Sequence, residues 1–505
     1  MKSQAFLKHA AVYGLADILV PAAGLLLLPL YTRCLSRADF GALEIVVRIA
    51  ETASTLLILG GLRQGVLTFY QQSEDPGARR RLVASALCVV GLAAVAAGVF
   101  VFPLCGPLCD WLNGTGDALT PELVRLAVLG ILLEPFALLP LALLQARVQS
   151  TTFVAVTVGQ FLVRVTLSVL FVAGFGWGAM GVLAATALTG LLFGVLLTAW
   201  ELRRGVGLPD GGTVRGLLSF AFPFLPGAVC FFVMQHGDRF FLHRLWGAEE
   251  VGTYALGYKL ALAVNTLSLA PLCKVWSAHM YEVARRSDAG DVFGRAFTRI
   301  LAAVVFAGLG LALFQDEAVA LLGGSGYAGA AIIVAPVLLG CVCQAAASLM
   351  DAAFYVRRRT GLKLYITMAA TLVMLVLYVW LIPSWGGIGA ALATLGGFAF
   401  LVFLTWIVTQ RIFRVRYEWV RLAAMLGWAV ALWTGSRLLP AAGWAVAARV
   451  GLWLAWPVLL WLCGLVSETE RQQLRSVLAA VLPWRRDRTS PGTALPEPHV
   501  VSTVS

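Results

Sequence analysis

Fourteen apolar runs of about twenty residues follow one another along this 505-residue chain, and each is long enough to cross a hydrocarbon core as an α-helix. In lipid a backbone must satisfy its own polar groups, so the runs predict an all-α polytopic membrane protein. The predicted spans are 6–30, 42–68, 82–104, 119–144, 152–176, 178–200, 216–243, 250–276, 293–315, 328–354, 362–383, 387–409, 417–438 and 445–466. With 60% hydrophobic residues and only 13% charged, the chain is not a soluble globular protein, for which about 25% charged is usual.

An even number of spans puts both termini on one side, and the positive-inside rule selects that side. Alternate connections, with both terminal segments, hold 26 of the 38 Lys and Arg residues, and the opposite connections hold seven. Both ends are therefore expected in the cytoplasm, which places the protein in a bacterial inner membrane. The same distribution accounts for the net charge of +12 as a topology signal and argues against a nucleic-acid partner. Lys2 and Lys8 run into the first apolar segment without a small-residue cleavage site, so that segment is expected to be retained.

The chain is also built twice. A shift of 211 residues superimposes Arg33 on Arg244, Asp39 on Glu250, Gly41 on Gly252, Arg48 on Lys259, Thr55 on Thr266, Arg63 on Lys274 and Tyr70 on Tyr281. Later in each half, Trp177-Gly178-Ala179-Met180-Gly181 matches Trp385-Gly386-Gly387-Ile388-Gly389. Six crossings return the chain to its starting side, so the two six-helix bundles share an orientation and are expected to be related by a pseudo-twofold along the membrane normal. The expected organisation is a first bundle over 1–204, a Gly-rich cytoplasmic linker over 205–215, and a second bundle over 216–413. Two extra helices over 414–466 and a largely disordered cytoplasmic tail over 467–505 follow.

Charges at membrane depth are costly and mark function. On span 42–68, Glu44, Arg48 and Glu51 fall within about 60° of one another, and Arg63 lies about 60° further round, a stripe that must face protein or water. Arg48 and Arg63 are roughly 22 Å apart along the helix. If spans 42–68 and 250–276 face each other, Arg48, Arg63, Lys259 and Lys274 put a cation pair near each mouth of a cavity suited to an anionic cargo. The alternative is that Glu44 and Glu51 neutralise Arg48 within its own helix, while Arg63 and Lys274 extend to the interface. Arg164 is either a further cavity residue or the partner of Glu134. Asp17, Glu44, Glu51 and Glu134 are candidates for carrying a coupling ion, H⁺ or Na⁺, although Asp17 also suits a cap near Pro21.

No Walker A sequence occurs, no Cys/His metal spacing appears, and the five histidines lack ligand spacing, so neither a cofactor, a metal nor a catalytic group is expected. Cys105 and Cys109 fit buried small apolar residues.

Leu28-Pro29-Leu30-Tyr31-Thr32-Arg33 with Leu35-Ser36-Arg37-Ala38-Asp39-Phe40-Gly41, then Gly237-Asp238-Arg239 and Val251-Gly252-Thr253-Tyr254, resemble the polysaccharide-transporter branch of the multidrug/oligosaccharidyl-lipid/polysaccharide exporter superfamily. The likeness spans about residues 1–413. It implies a flippase carrying an undecaprenyl-pyrophosphate-linked oligosaccharide, such as an O-antigen, capsule or exopolysaccharide unit, to the outer leaflet by alternating access. The expected partners are that lipid-linked glycan, membrane lipids and polysaccharide assembly machinery. The two extra helices resemble those of lipid II flippases, which form a lipid-tail groove. A multidrug cation antiporter of the same superfamily would show acids rather than matched cations in its cavity. A membrane glycosyltransferase would need a larger extramembrane loop than this chain has.

Overall fold

The computed structural model describes residues 27–57, 61–113, 119–439 and 444–463, and every regular element among them is a helix. Asp17, most of the first predicted span and the 467–505 tail lie outside the described residues. A helical stretch over 27–34 leads into α1 (Arg37–Leu57), α2 (Leu62–Gln72), α3 (Pro76–Asn113), α4 (Pro121–Leu133), α5 (Pro135–Ala146), α6 (Ser150–Val169) and α7 (Gly178–Arg203). The second half contains α8 (Gly211–Ala221), α9 (Leu225–Trp246), α10 (Ala248–Val264), α11 (Ala270–Val283), α12 (Ala289–Leu313), α13 (Gln315–Gly323), α14 (Ala331–Met350), α15 (Ala352–Val356) and α16 (Thr360–Ile412). Two more helices follow, α17 (Trp419–Ser436) and α18 (Ala445–Leu462).

These helices fall on the predicted spans from 42–68 onward, and ten helical stretches among the described residues are long and apolar enough to cross a membrane. Of the fourteen predicted spans, 6–30 lies mostly outside the described residues, 417–438 (α17) is not among the ten, and two further differences have physical causes. Span 42–68 is divided between α1 and α2, and α1 carries Asp39, Glu44, Arg48 and Glu51. Spans 362–383 and 387–409 are continuous within α16.

Pro and Gly set the local breaks. Pro135 has no N–H to continue the ladder, so α4 stops at Glu134 and α5 begins there. Within α16, Gly386 adopts φ 54° and ψ −130°, a conformation for which a side chain is strained. The chain doubles back at this point. A Cβ on Gly389 would lie 2.3 Å from the Leu381 carbonyl oxygen, and one on Gly397 would lie 2.3 Å from the Met374 side chain, so the two arms of α16 pack as an antiparallel hairpin. Gly178, its counterpart in the earlier WG-G motif, also has φ 54° and opens α7 after the α6 arm.

The largest apolar core joins the two halves along α1, α9, α10, α14 and the α16 hairpin, with Phe40, Tyr254 and Tyr378 wholly buried. Cys105 and Cys109 are buried in the same core as free thiols. The helices α17 and α18 stand beside the second half against α12. There the Trp453 indole donates to the Phe306 carbonyl at 2.9 Å, and Trp453 stacks on the Phe306 ring at 4.7 Å. Trp456 donates to Met425 O at 3.1 Å, tying α18 to α17.

Candidate functional site

Helix α1 crosses α10 at the closest approach that glycine allows. A Cβ on Gly41 would sit 1.8 Å from Ala248 O, and one on Gly252 would sit 2.3 Å from Arg37 O. Both positions are therefore closed to any other side chain without a backbone shift. The contacts are reciprocal in the repeat register, since Ala248 stands to Gly252 as Arg37 does to Gly41. Arg33 of the first half reaches the Leu321 carbonyl of the second, while its repeat mate Arg244 bonds to the Trp111 carbonyl of the first. A salt bridge of 3.1 Å between Arg37 and Glu249 adds to the same seam.

One turn beyond Gly41 along α1, the seam becomes ionic. Glu44, 3% exposed, accepts a hydrogen bond from the Lys259 ammonium of α10. Its Oε2 lies 3.6 Å from Arg48 Nη2 and 3.9 Å from Arg239 Nε of α9. Arg48 bonds in turn to Glu51 and lies 3.4 Å from His236 Nε2. Arg239, 2% exposed, donates to Asp238 Oδ1 at 2.9 Å and lies over the Tyr258 ring at 4.4 Å. Tyr254 bonds to the other Asp238 oxygen, and Lys259 lies 4.8 Å from the Phe40 ring centroid. Three cations, Arg48, Arg239 and Lys259, thus meet three carboxylates, Glu44, Glu51 and Asp238.

The repeat mates Arg48 and Lys259 are brought together, as the facing of the two helices requires. They are not a free cationic pair, because Glu44 lies one turn before Arg48 and reaches both. Burying several charges is tolerable only when each is paired, and removing one member of such a set exposes its partners to the full desolvation cost. The cluster is also not fully bonded. Glu44 Oε2, Arg48 Nε, His236 Nδ1 and Arg239 Nε have no hydrogen-bond partner among the described residues.

The other two predicted cations do not join this cluster. Arg63, exposed on α2, donates to Gln145 Oε1 at 2.8 Å within its own half, and Lys274 is exposed on α11. Arg164 is exposed in the middle of α6, and no ion pair joins it to Glu134 among the described residues. Glu134 instead stands at the α4–α5 break, within electrostatic reach of Arg164 and Glu51. Asp351, another charge within an apolar span, pairs with Lys363 at 2.6 Å.

Asp238 and Arg239, near the end of the predicted span 216–243, belong to the cluster although neither is among the candidate site residues named from the sequence. Helix α9 continues to Trp246 and carries them inward. The adjacent opposite charges near the end of an apolar run were the available signal. Among the described residues no group of three His, Cys, Asp or Glu side chains could hold a metal ion.

A second feature is an apolar cavity of about 220 Å³ between α12, α14, the second arm of α16 and α17. Gly308, Pro336, Leu339, Leu395, Ala429 and Trp433 are among its lining residues.

Comparison with solved structures places this arrangement in a known fold. The lipid II flippase MurJ, in an inward closed conformation, superposes with a TM-score of 0.73 at 11% identity, covering 91% of this chain and 100% of that one. An inward-facing multidrug resistance MATE family transporter of the MOP superfamily gives 0.61 at 16% identity, covering 79% and 93%. A MOP superfamily transporter from Pyrococcus furiosus, described as having a binding pocket of reverse polarity, gives 0.55 at 15% identity over 80% and 92%. No curated protein matches in sequence. The signature of the family described as "Polysaccharide biosynthesis protein" matches residues 6–276, more than half of the chain. The chain therefore belongs to the polysaccharide biosynthesis protein family, with the fold of the MOP-superfamily transporters, as its sequence motifs led us to expect.

Proposed function

We propose that this protein is a flippase that moves a polyprenyl-pyrophosphate-linked oligosaccharide across a bacterial inner membrane by ion-coupled alternating access. The observation that carries the reading is the convergence of the repeat-mate cations Arg48 and Lys259 on Glu44 at the α1–α10 seam. In the orientation given by the positive-inside rule, this seam closes the extracytoplasmic mouth. Separating the halves there breaks Glu44 from Lys259 and from Arg239, which leaves Lys259 without its acid and Arg239 with Asp238 alone. Closed, the site is neutral and sealed; open, it has cations for a pyrophosphate or an acidic sugar.

A fourteen-helix arrangement of two pseudo-symmetric bundles plus an extra pair fits this proposal. Reciprocal contacts of repeat mates are what a twofold axis produces, and they support it. The cavity between α12, α14, α16 and α17 suits the polyprenyl tail, which at about 0.8 kcal/mol per buried CH₂ stays in a lipid-like environment while the headgroup crosses. Glu51 and Glu134, near Arg48 and Arg164, are our candidates for coupling to an ion gradient, and from the sequence so is Asp17.

Lipid II as the cargo is the second reading, favoured by the match over the whole of the lipid II flippase, extra helices included. Reconstitution into vesicles loaded with either lipid-linked oligosaccharide or lipid II separates the two. Appearance of only one cargo in the opposite leaflet identifies it, and movement of neither rejects the flippase reading.

A further inference from the structure

Away from the seam, at the opposite end of the first half, a cavity of about 270 Å³ is lined by Tyr70, Arg79, Arg80, Arg147, Glu201, Arg204 and neighbouring backbone. Its floor is a closed unit. Arg147 grips the buried Glu201 carboxylate with two hydrogen bonds of 2.7 Å and donates through Nε to Tyr70 Oη at 3.0 Å. Three of its five N–H groups are bonded in this way, and it cancels the charge of Glu201.

The rim differs. Arg79 is fixed by its Nε, which donates to Ser73 O at 2.8 Å, and its guanidinium lies 4.9 Å from the Tyr70 ring centroid. Arg204 lies over Trp200, 4.0 Å from the ring centroid, with its Nη1 3.8 Å from a Glu201 oxygen already bonded to Arg147. The backbone carbonyl of Arg80 accepts from Gly207 N at 3.3 Å, which lays the linker across the cavity edge. The terminal nitrogens of Arg79, Arg80 and Arg204 have no hydrogen-bond acceptor among the described residues. Three guanidinium groups therefore line one cavity with no uncompensated acid in its lining, Arg79 and Arg204 placed by aromatic rings and Arg80 exposed at the edge. That is the chemistry of a phosphate site.

We propose that this cavity binds a phosphate group, and that the group is the headgroup of an anionic phospholipid in the adjoining leaflet. The location argues for a lipid source. Helix α7 leads to the cavity through Leu188, Leu191, Leu192, Val195 and Leu196, apolar side chains left exposed and suited to acyl chains, and then ends in Glu201 and Arg204. Leu208, in the linker that follows, is 84% exposed. Basic pockets between membrane helices at the polar boundary hold anionic headgroups in this way. The site is particular to the first half. At the 208-residue shift that aligns Trp177 with Trp385, Glu201 and Arg204 correspond to Thr409 and Ile412. A lipid held here touches the linker between the halves, so its occupancy bears on their relative motion whatever the cargo.

The test uses full-length protein, stripped of lipid in detergent and titrated with phosphatidylglycerol, phosphatidylcholine, glycerol 3-phosphate or inorganic phosphate, with bound species read by native mass spectrometry. Wild type should retain phosphatidylglycerol over phosphatidylcholine, and R79Q/R80Q/R204Q should lose about tenfold or more of that retention. The exposed pair R285Q/R295Q in the other half should not. Thermal unfolding of each apo protein shows whether the variant is folded. Saturable binding of the soluble phosphates, lost in the triple variant and without lipid preference, would uphold the phosphate site but overturn the lipid source. Equal retention of phosphatidylglycerol by folded wild type and triple variant would overturn the proposal.

Discussion

Gly41 and Gly252 stand 211 residues apart in the sequence and against each other in space, each accommodating a carbonyl from the opposite helix, Ala248 O at the one and Arg37 O at the other. Any Cβ at either position displaces a backbone. Gly41→Val and Gly252→Val should each lower the stability of the closed form by about 1–3 kcal/mol, the usual cost of overpacking. Thermal unfolding in detergent reads the loss, and an unchanged midpoint in both variants would contradict the close crossing.

Glu44 balances charges from both halves, so Glu44→Gln leaves Arg48, Arg239 and Lys259 with only Glu51 and Asp238. The surplus cation in a buried cluster should favour separation of the seam. Spin labels at the exposed positions Asp39 and Glu249 should report a longer or broader distance distribution in this variant than in the parent. Lys259→Ala should shift the distribution less, because Arg48 and Arg239 still neutralise Glu44.

Gly178 and Gly386 share φ 54° at the turns of corresponding motifs. Replacing either with Ala should cost about 1–3 kcal/mol of stability through backbone strain. The effect at Gly386 should be the larger, since its position also meets the Trp246 ring at 3.2 Å, whereas Gly178 has open space around it. Equal small losses at both would refute that ranking.

The apolar spans were legible from their length, and helix positions follow them because hydrophobicity alone drives insertion. The charge stripe Glu44, Arg48, Glu51 was legible from its 3.6-residue period, and its pairing with α10 from the Arg48–Lys259 register. What periodicity could not show is which acid meets which cation across the seam. Glu44 reaches Lys259 only because Gly41 and Gly252 draw the two backbones together, a tertiary effect. Arg239 was missed for a related reason: near the end of span 216–243 it reads as an interfacial charge, and only the packing of α9 against α1 brings it to Glu44. The arginine cavity was hidden because Arg79, Arg147 and Arg204 come from separate helix ends.

The cavity beside α17 should matter to the lipid tail rather than to folding. Ala429→Trp would fill part of its volume and should slow translocation of long-chain substrates more than short-chain ones. Truncation after Arg416 should leave a folded core with the same bias. Equal rates for both chain lengths in the folded variants would remove the groove from the account.

The most direct measurement follows a lipid-linked oligosaccharide to the opposite leaflet of sealed vesicles, with wild type beside R48A/K259A and with the ion gradient imposed or dissipated. A charge-assisted contact contributes roughly 1.5–3 kcal/mol, so loss of the two cations should slow transfer by at least about tenfold while the protein still inserts and unfolds cooperatively. Wild type should move the substrate faster than empty vesicles and accumulate it only with the gradient. Transfer by the folded double variant at the wild-type rate would contradict the central role of the Arg48–Glu44–Lys259 seam.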